Sequence, residues 1–173
     1  MTSNLINHLV RAAFLDVDFY NEVEVDVSVN KQVTVIVVVA NVLAGIGAAL
    51  ATGSPAYLGA VAGAITGLVG WIVWSVIALF IGTRFLGGTA DFGQMARVIG
   101  FAFTPLVIGI IPWLGFVGAA WALLATVIAV REGLDVSTPR AIVAMLPGWF
   151  SWLLLSLIVQ GAVGFSETSV WPL

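Results

Sequence analysis

From residue 33 onward, long apolar runs alternate with short breaks built from glycine, proline and charge. The runs cover residues 33–51, 58–81, 98–111, 116–130 and 141–165, and each predicts a helix. A helix needs about 20 apolar residues to cross the ~30 Å hydrocarbon core of a bilayer. The first, second and fifth runs reach that length. The third and fourth are shorter, so they form either two full spans or one re-entrant hairpin. Ser54-Pro55 and Thr138-Pro139 each pair a capping hydroxyl with a proline in the first turn, a start signal for the second and fifth helices. Thr89 is placed to cap the third helix, and Pro105 predicts a kink inside it. The expected fold is all-α, a polytopic membrane bundle of five transmembrane helices with an N-terminal amphipathic interfacial helix. It divides into an N-terminal segment at 1–31, a membrane domain at 32–165 and a short tail at 166–173.

Ahead of the first run the pattern changes. Leu5, Ile6, Leu9, Val10, Ala13, Phe14 and Val17 recur at helical spacing, with Asn4, Asn7, His8 and Arg11 on the other face. This predicts an amphipathic helix, either lying in the membrane interface or packed on the ends of the bundle. Residues 22–30 then alternate between polar residues and valine, which is the period of a strand. No second run of that kind exists to pair with it. The segment therefore reads as an extended linker, or as an edge that recruits a partner strand. Its acidic residues (Asp16, Asp18, Glu22, Glu24, Asp26) favour a position off anionic lipid, or docked on a basic partner. Leu5, Leu9, Phe14, Asp16 and Asp18 are the candidate partner-facing or lipid-facing residues.

Charge sets the orientation. All six Lys and Arg residues fall on one side of the five-span register: Arg11, Lys31, Arg84, Arg97, Arg131 and Arg140. The positive-inside rule then puts the N-terminus in the cytoplasm and the C-terminus opposite, in a cytoplasmic (inner) membrane. Trp71, Trp113 and Trp171 are placed as interface anchors. Trp74, Trp121, Trp149 and Trp152 read as deeper packing residues. Residues 1–14 lack the charged, apolar and small-residue regions of a signal peptide, so the first span is expected to direct insertion.

Composition supports the membrane reading. The chain of 173 residues is 61% hydrophobic and 9% charged, against about 25% charged in soluble domains. A net charge of −3 excludes a strong basic patch for nucleic acid. With no cysteine and one histidine, His8, no metal site is expected, and no cofactor. The chain carries no metalloprotease, nucleophile-elbow or phosphate-loop motif, so no catalytic residues are assigned.

What stands out inside the spans is small or polar. Gly59, Gly63 and Gly67 form a small-xxx-small stripe, with Gly45 and Ala49 as a complementary face on the first span. The stripe packs spans one and two of one chain, or else joins two copies. Asn41 and Gln160 are the in-span amides. Neither is satisfied by its own helix alone, which predicts interhelical hydrogen bonds.

Several short motifs occur in order along the chain. Asp16-Val17-Asp18-Phe19-Tyr20 is followed by Glu22 and Asp26, then by Gly87-Gly88. Met95-Ala96-Arg97-Val98-Ile99-Gly100-Phe101 leads to Thr104-Pro105. Arg131-Glu132-Gly133-Leu134 and Ser137-Thr138-Pro139-Arg140-Ala141 complete the set. This order resembles the Yip family of Ypt/Rab-interacting-protein-like membrane proteins, in its compact prokaryotic branch. The resemblance implies five spans and a cytosolic N-terminus. Eukaryotic members act in vesicle traffic with small GTPases. Their long N-terminal cytosolic region has no counterpart in this sequence, so a small GTPase is not an expected partner.

The leading expectation is a non-enzymatic scaffold or accessory subunit that packs against lipids, itself or other integral membrane proteins. A small-solute transporter or channel is the alternative, with Asn41 and Gln160 as its probes. An intramembrane enzyme ranks third.

Overall fold

The structure, a computed structural model, describes residues 2–163. Two short helices, α1 (Thr2–Ala13) and α2 (Val17–Val25), precede five longer segments. These are α3 (Asn30–Ala51), α4 (Ala56–Phe85), α5 (Phe92–Ala102), α6 (Gly115–Leu134) and α7 (Thr138–Ala162). α5 continues into a 3-10 segment, Thr104–Ile110, and a short 3-10 turn, Val27–Val29, links α2 to α3. Five of these stretches are long and apolar enough to cross a membrane. The end of the bundle bearing the α4–α5 and α6–α7 connections is called the near face, and the opposite end the far face.

The third span breaks rather than kinks. α5 stops at Ala102, and Pro105 sits in the first turn of the 3-10 segment instead of inside a helix. Eleven α-helical residues and seven 3-10 residues together extend roughly 30 Å. That matches both the hydrocarbon core and the 20 residues of α6. Gly109, near the end of the 3-10 segment, packs against Ala44 and Gly47 in the far half of α3. The third and fourth segments are therefore each long enough to run from face to face. The cap of α5 is Asp91, not Thr89. Its side chain accepts from Gln94 N at 2.9 Å, and Gln94 Oε1 accepts from Asp91 N at 2.7 Å.

Neighbouring segments close a ring: α3 on α4, α4 on α7, α7 on α6, α6 on the 3-10 segment, and that segment back on α3. Outward-facing apolar residues such as Val61, Val76, Leu124, Phe150 and Leu157 form the lipid-facing surface. α1 and α2 fold as a helical hairpin against α5 and α6. The extended-linker or strand expectation for residues 22–30 is wrong: α2 runs to Val25, and residues 27–29 form a 3-10 turn. Val23 and Val29 are buried whereas Val25 and Val27 are exposed, so the valines divide by helical geometry. α1 ends at Ala13, so Val17 belongs to α2. Residues 164–173, which include Phe165 and Trp171, lie outside the described residues.

Candidate functional site: a clamped hairpin and a central cavity

The hairpin is built locally. After α1 ends at Ala13, the chain turns at Leu15, whose φ of 62° is unfavourable for a leucine. Surrounding bonds hold that turn. Arg11 Nε donates to Asp16 Oδ2 at 2.6 Å, and Asp16 Oδ1 accepts from Phe19 N to cap α2. Arg11 also forms a fork onto Glu22, with Nη1 and Nη2 at 2.6 and 3.0 Å from its two carboxylate oxygens. Tyr20 is fully buried and donates to Ala12 O.

Arg97 joins the hairpin to the bundle. It is only 5% exposed, yet no carboxylate lies within ion-pair distance among the described residues. Its Nε donates to Val23 O and Glu24 O, both at 3.0 Å; Nη2 donates to Glu24 O, and Nη1 reaches Asn30 Oδ1 at 3.4 Å. These carbonyls close the C-terminus of α2, which has no helical partners for them and carries partial negative charge. Two further bonds hold the hairpin: Gln94 Nε2 donates to Glu24 Oε1, and Trp121 Nε1 donates to Ala13 O at 2.8 Å. Phe19 stacks edge-on against Phe101 at 4.9 Å, and His8 lies between Phe101, Phe19 and Gln32.

Electrostatics differ along the hairpin. Hydrogen bonds from Arg11 hold the carboxyls of Asp16 and Glu22 below their ordinary range. Bonding to Ser28 lowers Asp26 similarly. Glu24 goes the other way: burial raises it, and the charge of Asp135 adds to the shift.

Among the predicted surface residues, Leu5 and Leu9 pack inward against the core. Phe14 and Asp18 are exposed, while Asp16 is partly covered by Arg11. The glycine stripe lies between α3 and α4. A Cβ on Gly63 would sit 2.1 Å from Asn41 O, one on Gly45 would sit 2.1 Å from Gly59 O, and one on Gly59 would meet Ala49 Cβ at 2.7 Å. Gly67 faces the Asn41 side chain. Asn41 does not bond across helices, because its Nδ2 donates to Val37 O of its own helix at 2.8 Å. The Gln160 side chain makes no hydrogen bond among the described residues. The two amides instead line one cavity of about 180 Å³ together with Thr66, Trp152 and Ser156. Trp113 is exposed, whereas Trp71 donates to Ala96 O and acts as a packing bond.

The quoted motifs meet at the near face. Gly87, with φ 75°, turns the chain so that Gly88 N reaches Gly82 O, and Thr89 N donates to Leu134 O. Gly133 packs on Val98 and Met95, and Arg140 Nη1 reaches Leu86 O. Sequence reading named Arg97 only as an orienting charge and motif residue, and Trp121 only as a packing residue; their bonds to the hairpin went unseen. Both spend their donors on backbone carbonyls far away in the chain, which no spacing announces. The only local signal was an arginine at the edge of an apolar run. Among the described residues no group of His, Asp and Glu is assembled to hold a metal.

These features define a polytopic helical membrane protein. The family profile of the Yip1 domain matches residues 17–160, and the chain belongs to that family. The match begins at the first residue of α2, so it takes in the second helix of the hairpin as well as the spans. No curated protein and no solved structure matches the chain.

Proposed function

We propose that this Yip-family protein is a non-enzymatic scaffold or accessory subunit of its membrane. Its working surface is the outer margin of the clamped hairpin. The observation that carries the reading is the Arg97 clamp, which fixes α2 with Phe19, Tyr20 and Val23 inward. The opposite margin then exposes Asn21, Glu22, Val25, Asp26 and Val27 as a fixed surface of mixed acidic and apolar character. Such a surface fits a membrane partner with a basic juxtamembrane segment. The cationic loops support a cytoplasmic near face, with the far face opposite, in a cytoplasmic membrane. Single cysteines at Thr52 and Ser137 test that orientation in a chain with no native cysteine: Thr52 labels from outside and Ser137 does not.

The test of function is isolation in mild detergent after in-membrane crosslinking, for wild type and for Val25→Ser/Val27→Ser. A stoichiometric partner in wild type, lost in the double variant while the fold persists, is the expected result. A wild-type protein recovered alone in several gentle detergents overturns the reading.

A further inference from the structure

The central cavity has a composition that packing alone does not explain. It sits within the ring of five segments, lined from α3 (Asn41, Gly45), α4 (Thr66), α6 (Ala119) and α7 (Trp152, Gln160), with Leu106 of the 3-10 segment completing the wall. The lining reaches Ala48, Gly115 and Gln160, close to the far-face ends of α3, α6 and α7. Towards the near face three aromatic rings close it. Trp74 and Phe103 lie 5.6 Å apart, Trp74 and Trp152 6.4 Å, and Phe103 and Trp152 6.3 Å.

Ser156 donates its hydroxyl to Trp152 O at 2.9 Å, but the other polar groups here keep unused donors or acceptors. Asn41 spends its amide N–H on Val37 O, and its carbonyl oxygen accepts nothing among the described residues. The Thr66 hydroxyl and the whole Gln160 amide make no hydrogen bond among the described residues. Trp152 Nε1 is buried without an acceptor. At membrane depth each orphaned group costs free energy that water or a ligand would recover. Donors and acceptors occur together, as suits hydroxyl or amide groups, which use both. Among the described residues no ionisable side chain lines the cavity, so its described walls offer a charged solute no counter-charge. An acyl chain would leave every polar group unpaired. For scale, an apolar cavity of about 150 Å³ holds benzene, which has six heavy atoms.

We infer that the central cavity is a binding site for a neutral solute of about glycerol size, recognised through hydroxyl or amide groups. It is a site and not an open pore, since the Trp74–Phe103–Trp152 floor closes it. This inference is independent of the proposed accessory role, because it is read from solute binding and not from partner recovery.

The experiment is saturation-transfer NMR on the full chain in nanodiscs, with glycerol as probe and glycerol 3-phosphate as charged control. Wild type transfers saturation to glycerol and not to the phosphate. Ala119→Phe, which fills the cavity, lowers the glycerol signal at least fivefold. Gln160→Leu, which breaks no side-chain bond among the described residues, lowers it at least twofold. Absence of a wild-type signal means that the cavity holds water only, and overturns the inference. Equal signals from glycerol and the phosphate, or from wild type and a correctly folded Ala119→Phe, also overturn it. Should Ala119→Phe fail to fold, Gln160→Leu decides alone, and an unchanged signal defeats the proposal.

Discussion

Two joints in this molecule are made by opposite means. α3 and α4 meet backbone to backbone, with Gly45, Gly59 and Gly63 removing every side chain that would hold them apart. The α1–α2 hairpin meets α5 and α6 through long side chains, with Arg97 and Trp121 reaching across to backbone carbonyls. The first joint suits a solvent in which apolar side chains gain little by leaving lipid, so close dispersion contact must supply the attraction. The second satisfies helix ends that would otherwise stay unpaired beside the bundle. The first fails by overpacking, whereas the second fails by losing single donors. They should therefore break in different ways.

Overpacking the first joint is the largest expected effect. In Gly63→Leu the new Cβ meets Asn41 O and Val42 Cα, which are backbone atoms with no rotamer to change. α3 and α4 must separate, at a cost at the upper end of about 1–3 kcal/mol. Thermal unfolding in detergent reads it as a global loss of stability. Val61→Leu, one helical face away and exposed to lipid, should leave the melting temperature unchanged. Equal melting of Gly63→Leu and wild type would show that α4 does not rest on α3.

Removing the clamp comes next. Arg97→Met keeps the length of the side chain and deletes its donors, leaving Val23 O and Glu24 O without them. Hydrogen bonds to charged groups contribute about 1.5–3 kcal/mol. The loss should be local: α2 becomes sensitive to protease while α3–α7 melt nearly as in wild type. Arg97→Lys restores part of the protection. A global collapse would show that the hairpin is integral to the bundle and not a clamped addition.

The difference between the joints also explains what could be read from sequence. Glycines at 59, 63 and 67 fall on one helical face, so their role in close packing shows in their spacing alone. The first, second and fifth spans were equally legible, because a run of apolar residues long enough to cross a bilayer has few other uses; the shorter third and fourth runs left a re-entrant hairpin open. The α1–α2 hairpin was not legible. Valines at 23, 25, 27 and 29 imitate a strand, although burial selects only 23 and 29. What makes α2 a helix is its Asp16 cap and its distant partners on α5 and α6, neither of which shows in a period-two pattern. Asn41 and Gln160 were recognised as unusual in-span amides. Their meeting in one cavity depends on the closure of the ring, and helical self-bonding at Val37 replaced the expected interhelical bond.

A smaller effect belongs to Trp121→Phe. The ring volume is largely kept, while the bond from Nε1 to Ala13 O disappears. A net change of about 1 kcal/mol is expected, confined to amide-exchange protection at the end of α1. Exchange unchanged there, with α2 still protected, would mean that Arg97 holds the hairpin without help.

The subtlest way to separate the joints is pH, because the glycine joint has no titratable group and the hairpin has several. Asp16 and Glu22 have folded-state values depressed by Arg11, so their contribution is present above the unfolded carboxylate value of roughly 4. It is lost as pH falls through their lower folded values. Glu24 is raised by burial and by the charge of Asp135, so its neutral form is the favoured one. Its contribution is fully present below the unfolded value and lost as pH rises through the folded one. Acidification from neutral should therefore tighten the α2 end first and loosen the Arg11 turn later. Protection factors from amide exchange, corrected for intrinsic rates, should rise slightly in α2 just above the ordinary glutamate range. They should then fall around Leu15 at lower pH. Glu24→Gln removes the rise and Asp16→Asn removes the fall, while α3–α4 protection stays flat throughout. A parallel pH dependence in α3–α4 would mean that the two joints open as one unit, and the contrast between them would fail.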